Sequence, residues 1–308
     1  MKSITIPSSV SYIGMGAFCG TDLDTIIVES GNTKYDSRED CNAIIRTSAN
    51  EIILGCKNTK IPNTITAIGW YAFSGLMISV TIPNSVTSIS NNSFYYCSGI
   101  ETINIESGNT EYDSRDNCNA IIESKTNCLL LGCKNTTIPC SVTAIGDNAF
   151  KGCDFTSIIF PTSVTSIGNS ALYFCQNLTS IVIPNSVTSI GGDAFAGCKS
   201  LNDFYCFAEN LPITSAYIFE FSPINNGTLH VPATSIDYYK ATYPWNGFGN
   251  IVPIADNDPK PTNVIKYTYC SMKGDVFYTL DGHRTTQPRK GVNIVKKNNG
   301  TICKFIVK

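Results

Sequence analysis

Apolar and polar residues alternate within a short unit that recurs along most of the chain. In one copy, Ile181 and Ile183 alternate with Ser180 and Val182, a pattern typical of a strand with one buried face. Pro184 ends this strand because proline has no backbone N–H to donate. Further apolar positions predict a return segment, followed by a short helical turn that inserts a phenylalanine into the core.

The unit has a nearly constant length. Pro62 and Pro83 lie 21 residues apart, Pro139 and Pro161 lie 22 apart, and Pro184 follows 23 residues after Pro161. A period of roughly 20 to 29 residues is typical of leucine-rich repeats. One such unit cannot bury its own apolar face, so neighbouring units must stack. The pattern predicts a strand-dominated α/β fold, a right-handed leucine-rich-repeat solenoid with short helical turns.

A longer period is superimposed on the short one. Residues 24–62 and 101–139 match position for position at an offset of 77. Each segment contains two apolar stretches separated by about five polar residues, which indicates two strands and a tight connection. We interpret both segments as long repeats that carry a hairpin.

The repeat pattern becomes weaker towards the C-terminal end. We predict a solenoid over residues 1–255, with a capping region at 202–255 that includes a helix leading into Trp245. Residues 256–262, rich in proline and aspartate, predict a linker. The alternating pattern of residues 263–308 predicts a small, all-β C-terminal module.

Composition narrows the classes of function. Charged residues make up only 15% of the chain and the net charge is −2, so there is no basic surface for a nucleic-acid backbone. No apolar run approaches the roughly 18 residues of a membrane span. The N-terminal residues have no signal-peptide pattern and begin inside a repeat. Two alternatives follow: the export signal and the first repeats have been removed, or a start has been added to this segment.

Residues that could support catalysis or bind a metal are few. His230 and His283 fall in different predicted domains, and we expect both to be ordinary surface histidines. The acidic segments 36–40 and 113–116 could supply oxygen ligands to Ca²⁺, but each contains an arginine and lacks EF-hand spacing. Turn-forming side chains are the favoured interpretation. We therefore predict no enzymatic activity, no cofactor and no metal site.

The chain contains 14 cysteines. Cys97, Cys153 and Cys175 recur at one repeat position, as does Cys198, which favours a packing role over a disulfide scaffold. Cys128 and Cys140 occur only in the second long repeat, and one hypothesis is that they form a local disulfide. Independent drift at two sites is the favoured alternative.

The repeat unit SVTSIGxxAFxGCxxLTSIxIP resembles that of the BspA-like bacterial leucine-rich-repeat proteins, also named after treponemal repeats. The resemblance covers roughly residues 3–255. The tail of the chain is similar to short β-rich modules that end secreted proteins of gut and oral anaerobes. The resemblance implies an extracellular or cell-surface protein that adheres to host matrix proteins or to other bacteria. It implies no catalytic residues.

The outward strand positions predict a concave face of about eleven strands that binds another protein. The predicted partner is an extracellular protein of the host matrix or a bacterial surface, and we expect the intact protein to be a monomer. The two long repeats remain the alternative binding site. A glycan is the alternative ligand, with Tyr205 and Tyr217 as candidates for stacking on a sugar. It is disfavoured because no tryptophan falls on the repeat strands except near the ends, where Trp70 and Trp245 lie. The predicted binding residues are Thr25, Ile27, Ser79, Thr81, Thr102, Asn104, Ser157, Ile159, Ser180, Val182, Asp203 and Tyr205.

Overall fold

The computed structural model describes residues 2–73, 77–95 and 97–261, together with short stretches within 262–308. The architecture is a strand-dominated solenoid of about 11 turns, as the sequence predicts. The strands, in chain order, are β1 (Ser3–Ile6), β2 (Thr25–Val28), β3 (Tyr35–Asp36), β4 (Ala43–Arg46), β5 (Glu51–Gly55), β6 (Ala67–Ile68), β7 (Ser79–Ile82), β8 (Ser88–Ile89), β9 (Thr102–Ile105), β10 (Tyr112–Asp113), β11 (Ile121–Glu123), β12 (Cys128–Leu131), β13 (Ala144–Ile145), β14 (Ser157–Ile159), β15 (Ser166–Ile167), β16 (Ser180–Ile183), β17 (Ser189–Ile190), β18 (Asp203–Cys206), β19 (Ile213–Thr214), β20 (Thr228–Val231), β21 (Asn250–Pro253), β22 (Val264–Ile265), β23 (Val276–Tyr278), β24 (Arg284–Thr285), β25 (Gly291–Lys296) and β26 (Ile302–Val307).

The longer strands of successive turns pair in parallel and form what we call the strand face. Residues alternate between the core and the surface along each of these strands, so Ile181 and Ile183 are buried. The polar residues of neighbouring turns lie side by side in the sheet, as Ser180 and Asp203 do. The strand face consists of three sheets, β1-β2, β7-β9 and β14-β16-β18-β20-β21. It is therefore divided, whereas the outward strand positions in the sequence predict a single face of about eleven strands.

Shorter strands on the other side of each turn form the return face. Its two sheets have the orders β3-β4-β5-β6-β8 and β10-β11-β12-β13-β15-β17-β19. Within both long repeats the pairing changes from parallel to antiparallel, between β4 and β5 and between β11 and β12. Each long repeat thus contributes one strand to the strand face, β2 or β9, and adds a hairpin to the return face.

The third side of each turn, which we call the turn edge, carries the recurrent phenylalanine. Phe195 is fully buried, as the repeat pattern predicts. The segment around it is a hydrogen-bonded turn and not a helical one, because Asp193 and Gly197 have left-handed backbones with φ of 56° and 70°. Backbone hydrogen bonds continue between turns here too, since the Phe195 N–H donates to the carbonyl of Ile218.

An aromatic cluster closes the core at the C-terminal end of the solenoid. Helix α1 (Ile236–Ala241) leads through a 3-10 turn (Trp245–Gly247) that buries Trp245. The Trp245 ring packs edge-on against Phe219 and Tyr239, with centroid distances of 5.7 Å and 5.3 Å. Four further 3-10 turns are Arg38–Asp40, Thr47–Ala49, Arg115–Asn117 and Ile224–Asn226.

Asparagine side chains occupy the gaps that the long repeats leave in the strand face. The Asn119 amide oxygen accepts from the Ile103 N–H at 2.6 Å, and its nitrogen donates to the Glu101 carbonyl at 2.7 Å. Asn42 makes the equivalent pair of contacts with Ile26 and Asp24 in the first long repeat. Each amide makes the hydrogen bonds that a neighbouring strand would otherwise make with backbone groups at the edge of β9 or β2.

Five strands beyond the solenoid pair in one sheet of order β22-β26-β25-β23-β24. The strand β22 pairs in parallel with β26, and the other contacts are antiparallel. The separate C-terminal module of residues 263–308 stays a prediction, as do the boundaries of the linker and the capping region.

Candidate functional site

The predicted binding residues lie on the strand face in aligned rows. Ser79 faces Thr102 across β7 and β9, and Thr81 faces Asn104. All four are exposed, as are the corresponding residues of β2 and β14, which are Thr25, Ile27, Ser157 and Ile159. Ser180, Asp203 and Tyr205 are half-buried. Most of the predicted face is therefore a surface of short, uncharged side chains.

One predicted contact residue is not accessible. Val182 is only 1% exposed, so it does not belong to a binding surface. In the register of the sheet it lies between Ile159 and Tyr205, which are larger. A short side chain between two larger neighbours is shielded from solvent. The alternation of residues along one strand does not show which side chains lie beside it on the neighbouring strands.

A cluster of polar residues that the sequence analysis missed surrounds His230. Its Nε2 lies 3.5 Å from Asp203 Oδ1 and its Nδ1 lies 3.4 Å from Asp258 Oδ2. The imidazole stacks on Tyr205 with ring centroids 4.2 Å apart. The prediction that His230 is an ordinary surface histidine is wrong, since its side chain is 15% exposed. His283 is exposed.

The cluster around His230 attaches the segment after the solenoid to the last turns of the strand face. Asp258 belongs to that segment, and its Oδ2 also accepts from the Ala255 N–H. Burial, and then the nearby carboxylates of Asp203 and Asp258, raise the pKa of Tyr205 above its ordinary value. The register of β18 and β20 predicts the contact between Tyr205 and His230, but the position of Asp258 depends on how the linker folds back.

The acidic segments of the long repeats form ion pairs within the protein. In the second copy, Arg115 donates from two nitrogens to the Asp113 carboxylate, and its third nitrogen reaches Asn127 at 2.6 Å. Asp36 and Arg38 repeat this arrangement in the first copy. These carboxylate oxygens are already used by the arginine, and no group of three or more metal-ligating side chains occurs in the described part of the chain.

The ion pair of Asp113 makes the protein sensitive to acid. Burial alone would raise the Asp113 pKa, but hydrogen bonds from Arg115 and Ser124 outweigh it and hold the pKa below 3.8. A lowered carboxyl pKa stabilises the fold fully above the ordinary value, and the stabilisation is lost as the pH falls through the lower folded-state value. We expect Asp113→Asn to cost about 1–2 kcal/mol near neutral pH.

Urea unfolding between about pH 3 and pH 7 measures this effect. The difference between Asp113→Asn and the unmodified protein should shrink towards the acidic end, because a growing fraction of the native carboxylate is then protonated too. Glu111→Gln, an exposed change on the same hairpin, serves as the control. A difference that stays constant over the whole pH range would show that the ion pair is not responsible.

Most cysteine thiols of the described chain pack inside the solenoid. Cys153, Cys175 and Cys198 lie buried on successive turns, and the Cys198 thiol donates to the Leu172 carbonyl at 3.3 Å. Burial raises the pKa of Cys153 and Cys198 to about 12. These thiols therefore stay protonated and unreactive, which agrees with a packing role at this repeat position.

The hypothesis of a local disulfide between Cys128 and Cys140 is wrong. Cys128 is a free thiol at the start of β12, half-buried. Cys140 is disulfide-bonded, but not to Cys128. Proximity in sequence misled the prediction, because Cys128 lies in the hairpin on the return face whereas Cys140 begins the next regular turn.

The family profile described as "BspA type Leucine rich repeat region" matches the chain in six copies over residues 1–59, 43–127 and 120–241. The chain therefore belongs to the BspA-type leucine-rich-repeat family, and the resemblance found in the repeat unit is confirmed. No curated protein matches the chain significantly. None of the helices in the described ranges has the length and hydrophobicity of a membrane span.

Solved structures share the fold at low sequence identity. A leucine rich cell surface protein from Faecalibacterium prausnitzii A2-165 is 21% identical with a TM-score of 0.55, over 83% of this chain and 80% of that chain. A leucine-rich repeat protein from Eubacterium ventriosum has a TM-score of 0.54 at 21% identity, over 82% and 67%. The pneumococcal vaccine antigen PcpA has a TM-score of 0.53 at 19% identity, over 83% and 66%.

Proposed function

We propose that this protein binds an extracellular protein through the exposed rows of its strand face. The observation that carries the proposal is the alignment of short, uncharged side chains on a rigid support, as in the rows of Ser79 with Thr102 and Thr81 with Asn104. Such a surface is pre-formed, so a partner would bind it with little loss of conformational entropy in the protein. The low charge favours close contact without the cost of burying ions.

The strand face is a better candidate than the two hairpins. The polar groups of the hairpins bond to other groups of the protein, since Arg115 pairs with Asp113 and Asn119 accepts from the edge of β9. Their charged side chains are thus engaged in stabilising each long repeat. On the strand face, by contrast, Thr25, Ile27 and Ile159 are exposed, and none of their side chains forms an ion pair among the described contacts.

A location at the cell surface or outside the cell fits this proposal. One structural neighbour is described as a leucine rich cell surface protein and another as a vaccine antigen. A surface rich in serine, threonine and asparagine with few charges is also typical of extracellular proteins. A host matrix protein or a protein on another bacterium is the class of partner that we propose, and the protein acts without enzymatic turnover.

A panel of purified matrix proteins, including collagen, laminin, fibronectin and fibrinogen, tests the proposal by surface plasmon resonance. Thr102→Arg places an unpaired charge in the centre of the proposed interface and should weaken binding by about tenfold or more. Thr87→Arg, an equally exposed change off the strand face, should leave the affinity unchanged. Binding to no panel protein, or equal loss in both variants, would contradict the proposal.

Glycan binding is the second candidate, and exposed aromatic residues favour it. Trp70 is 46% exposed and Tyr217 is 62% exposed, so both rings could stack on a sugar. Trp245 is buried in the core, and Tyr205 is occupied by His230. The exposed rings lie off the strand face. A glycan that binds with unchanged affinity to Thr102→Arg would therefore identify a separate site.

A further inference from the structure

A cleft on the turn edge combines aromatic rings, amides and a lysine. It is lined by Tyr95, Lys151, Tyr173, Phe174 and Asn177, which we call the turn-edge cleft, and its volume is about 580 Å³. That volume falls within the range of roughly 300 to 1,000 Å³ that is typical of small-ligand sites. The cleft lies on a different side of the solenoid from the strand face.

The cleft forms where the turns before and after the second long repeat meet at the turn edge. The turn that contains Lys151 therefore stacks directly on the turn that contains Tyr95, although the two residues are 56 positions apart. Asn148 Nδ2 donates to Asn92 Oδ1 at 2.6 Å across this junction. On the other side, the Gly152 N–H donates to the Tyr173 carbonyl at 2.8 Å. Lys151 is thus held between Tyr95 and Tyr173.

The lysine in the cleft lies against aromatic surfaces. Lys151 Nζ is 2.7 Å from the centroid of the Tyr95 ring and 5.4 Å from that of Tyr173. Burial lowers the pKa of Lys151 to about 8. The other titratable groups around it are Tyr95, Tyr173, Cys153 and Asp154. The ammonium is therefore poorly hydrated, and an anion that enters the cleft would stabilise its charged form.

We propose that the turn-edge cleft binds a hexuronate unit of an acidic polysaccharide. The apolar face of the sugar would stack on the Tyr173 and Phe174 rings, whose centroids are 4.6 Å apart. Its carboxylate would pair with the Lys151 ammonium. The hydroxyl groups would contact Asp154 and Asn177, which already bond to each other at the rim.

The composition of the cleft favours an acidic sugar over an acidic peptide. The Tyr173 and Phe174 rings can stack on the apolar face of a sugar ring, whereas the side chains of an acidic peptide offer no such face. The Asp154 carboxylate accepts hydrogen bonds from sugar hydroxyls, which an acidic side chain does not supply at neutral pH. One lysine matches one carboxylate per sugar unit. The exposed indole of Trp70 and the ring of Tyr71, which contacts Tyr95 edge-on at 5.6 Å, extend the aromatic surface along the same edge. A chain of several sugar units therefore fits better than a monosaccharide.

Isothermal titration calorimetry with tetragalacturonate and a hyaluronan tetrasaccharide tests the proposal. We expect at least one to bind near pH 7, and we expect weaker binding near pH 9, where Lys151 has lost its proton. The methyl ester of tetragalacturonate, which lacks the charge, should bind about tenfold more weakly. Binding of neither acidic oligosaccharide, or tighter binding of a polyglutamate peptide, would overturn the proposal.

Two variants connect the binding to the cleft. Lys151→Met keeps the length of the side chain and should lose affinity for the acidic probe by about tenfold, as should Tyr173→Leu. Lys199→Met removes an exposed lysine outside the cleft and should bind like the unmodified protein. Circular dichroism verifies that each variant is folded. If folded Lys151→Met retained full affinity, the site would lie elsewhere and the proposal would fail, whatever the strand face binds.

Discussion

Replacing Phe195 with alanine is expected to destabilise the solenoid by about 3–5 kcal/mol, the usual cost of removing a buried phenylalanine. The ring is fully buried and contacts Phe204 and Phe219, with centroid distances of 5.2 Å and 5.7 Å. Truncation would leave a cavity between adjacent turns, which the backbone hydrogen bonds of the turn edge keep from collapsing. Chemical denaturation monitored by circular dichroism measures the effect.

Phe221→Ala provides a matched control for this prediction. Phe221 is also a turn-edge phenylalanine, but its side chain is 73% exposed. Its loss should change the free energy of unfolding by no more than about 0.5 kcal/mol, as for other surface substitutions. If Phe195→Ala cost less than about 1 kcal/mol, Phe195 would not be part of a packed core.

The second large effect is expected for Asn119→Ala, at about 3 kcal/mol. The change leaves the Ile103 N–H without its acceptor, and an unsatisfied buried group costs about 1–3 kcal/mol. It also removes one of the donors to the Glu101 carbonyl, which keeps the Asn135 amide at 3.3 Å. The free edge of β9 would also become available for pairing with another chain. Thermal unfolding should therefore show a lower midpoint, and light scattering should show association.

Asn117→Ala is the control that measures the cost of backbone strain without the loss of the Asn119 hydrogen bonds. Asn117 has the same left-handed backbone, with φ of 52° against 58° at Asn119, and its side chain is exposed. Alanine in this conformation costs about 1 kcal/mol at either position. An Asn119→Ala variant no less stable than Asn117→Ala would show that the amide does not replace a strand.

Alternation and period were sufficient to predict the solenoid. Ile181 and Ile183 are buried on one strand, and Phe195 fills the core, because stacking forces one face of each unit inward. The sequence predicted a helical turn around Phe195, and this detail was wrong, since aspartate and glycine at the ends of the turn adopt left-handed conformations that the repeat pattern does not specify.

Features that depend on contacts across the long repeats could not be predicted. Asn42 and Asn119 occupy equivalent positions of the duplication, but nothing in a sequence indicates that an amide replaces a strand. The strand face is divided at the two places where these asparagine side chains bond to the edge of a strand. Lys151 meets Tyr95 although the whole of 101–139 separates them in the sequence. The burial of Val182 likewise depends on neighbours from other turns.

Hydroxyl-radical footprinting of the protein with its bound matrix partner tests the proposed use of the strand face most directly. Ile27 and Ile159 are exposed on the strand face, and Ile213 is exposed on the return face, so three chemically identical side chains report on both surfaces. Binding should reduce the oxidation of Ile27 or Ile159 and leave Ile213 unchanged. Protection of Ile213, with unchanged oxidation of Ile27 and Ile159, would contradict binding through the strand face.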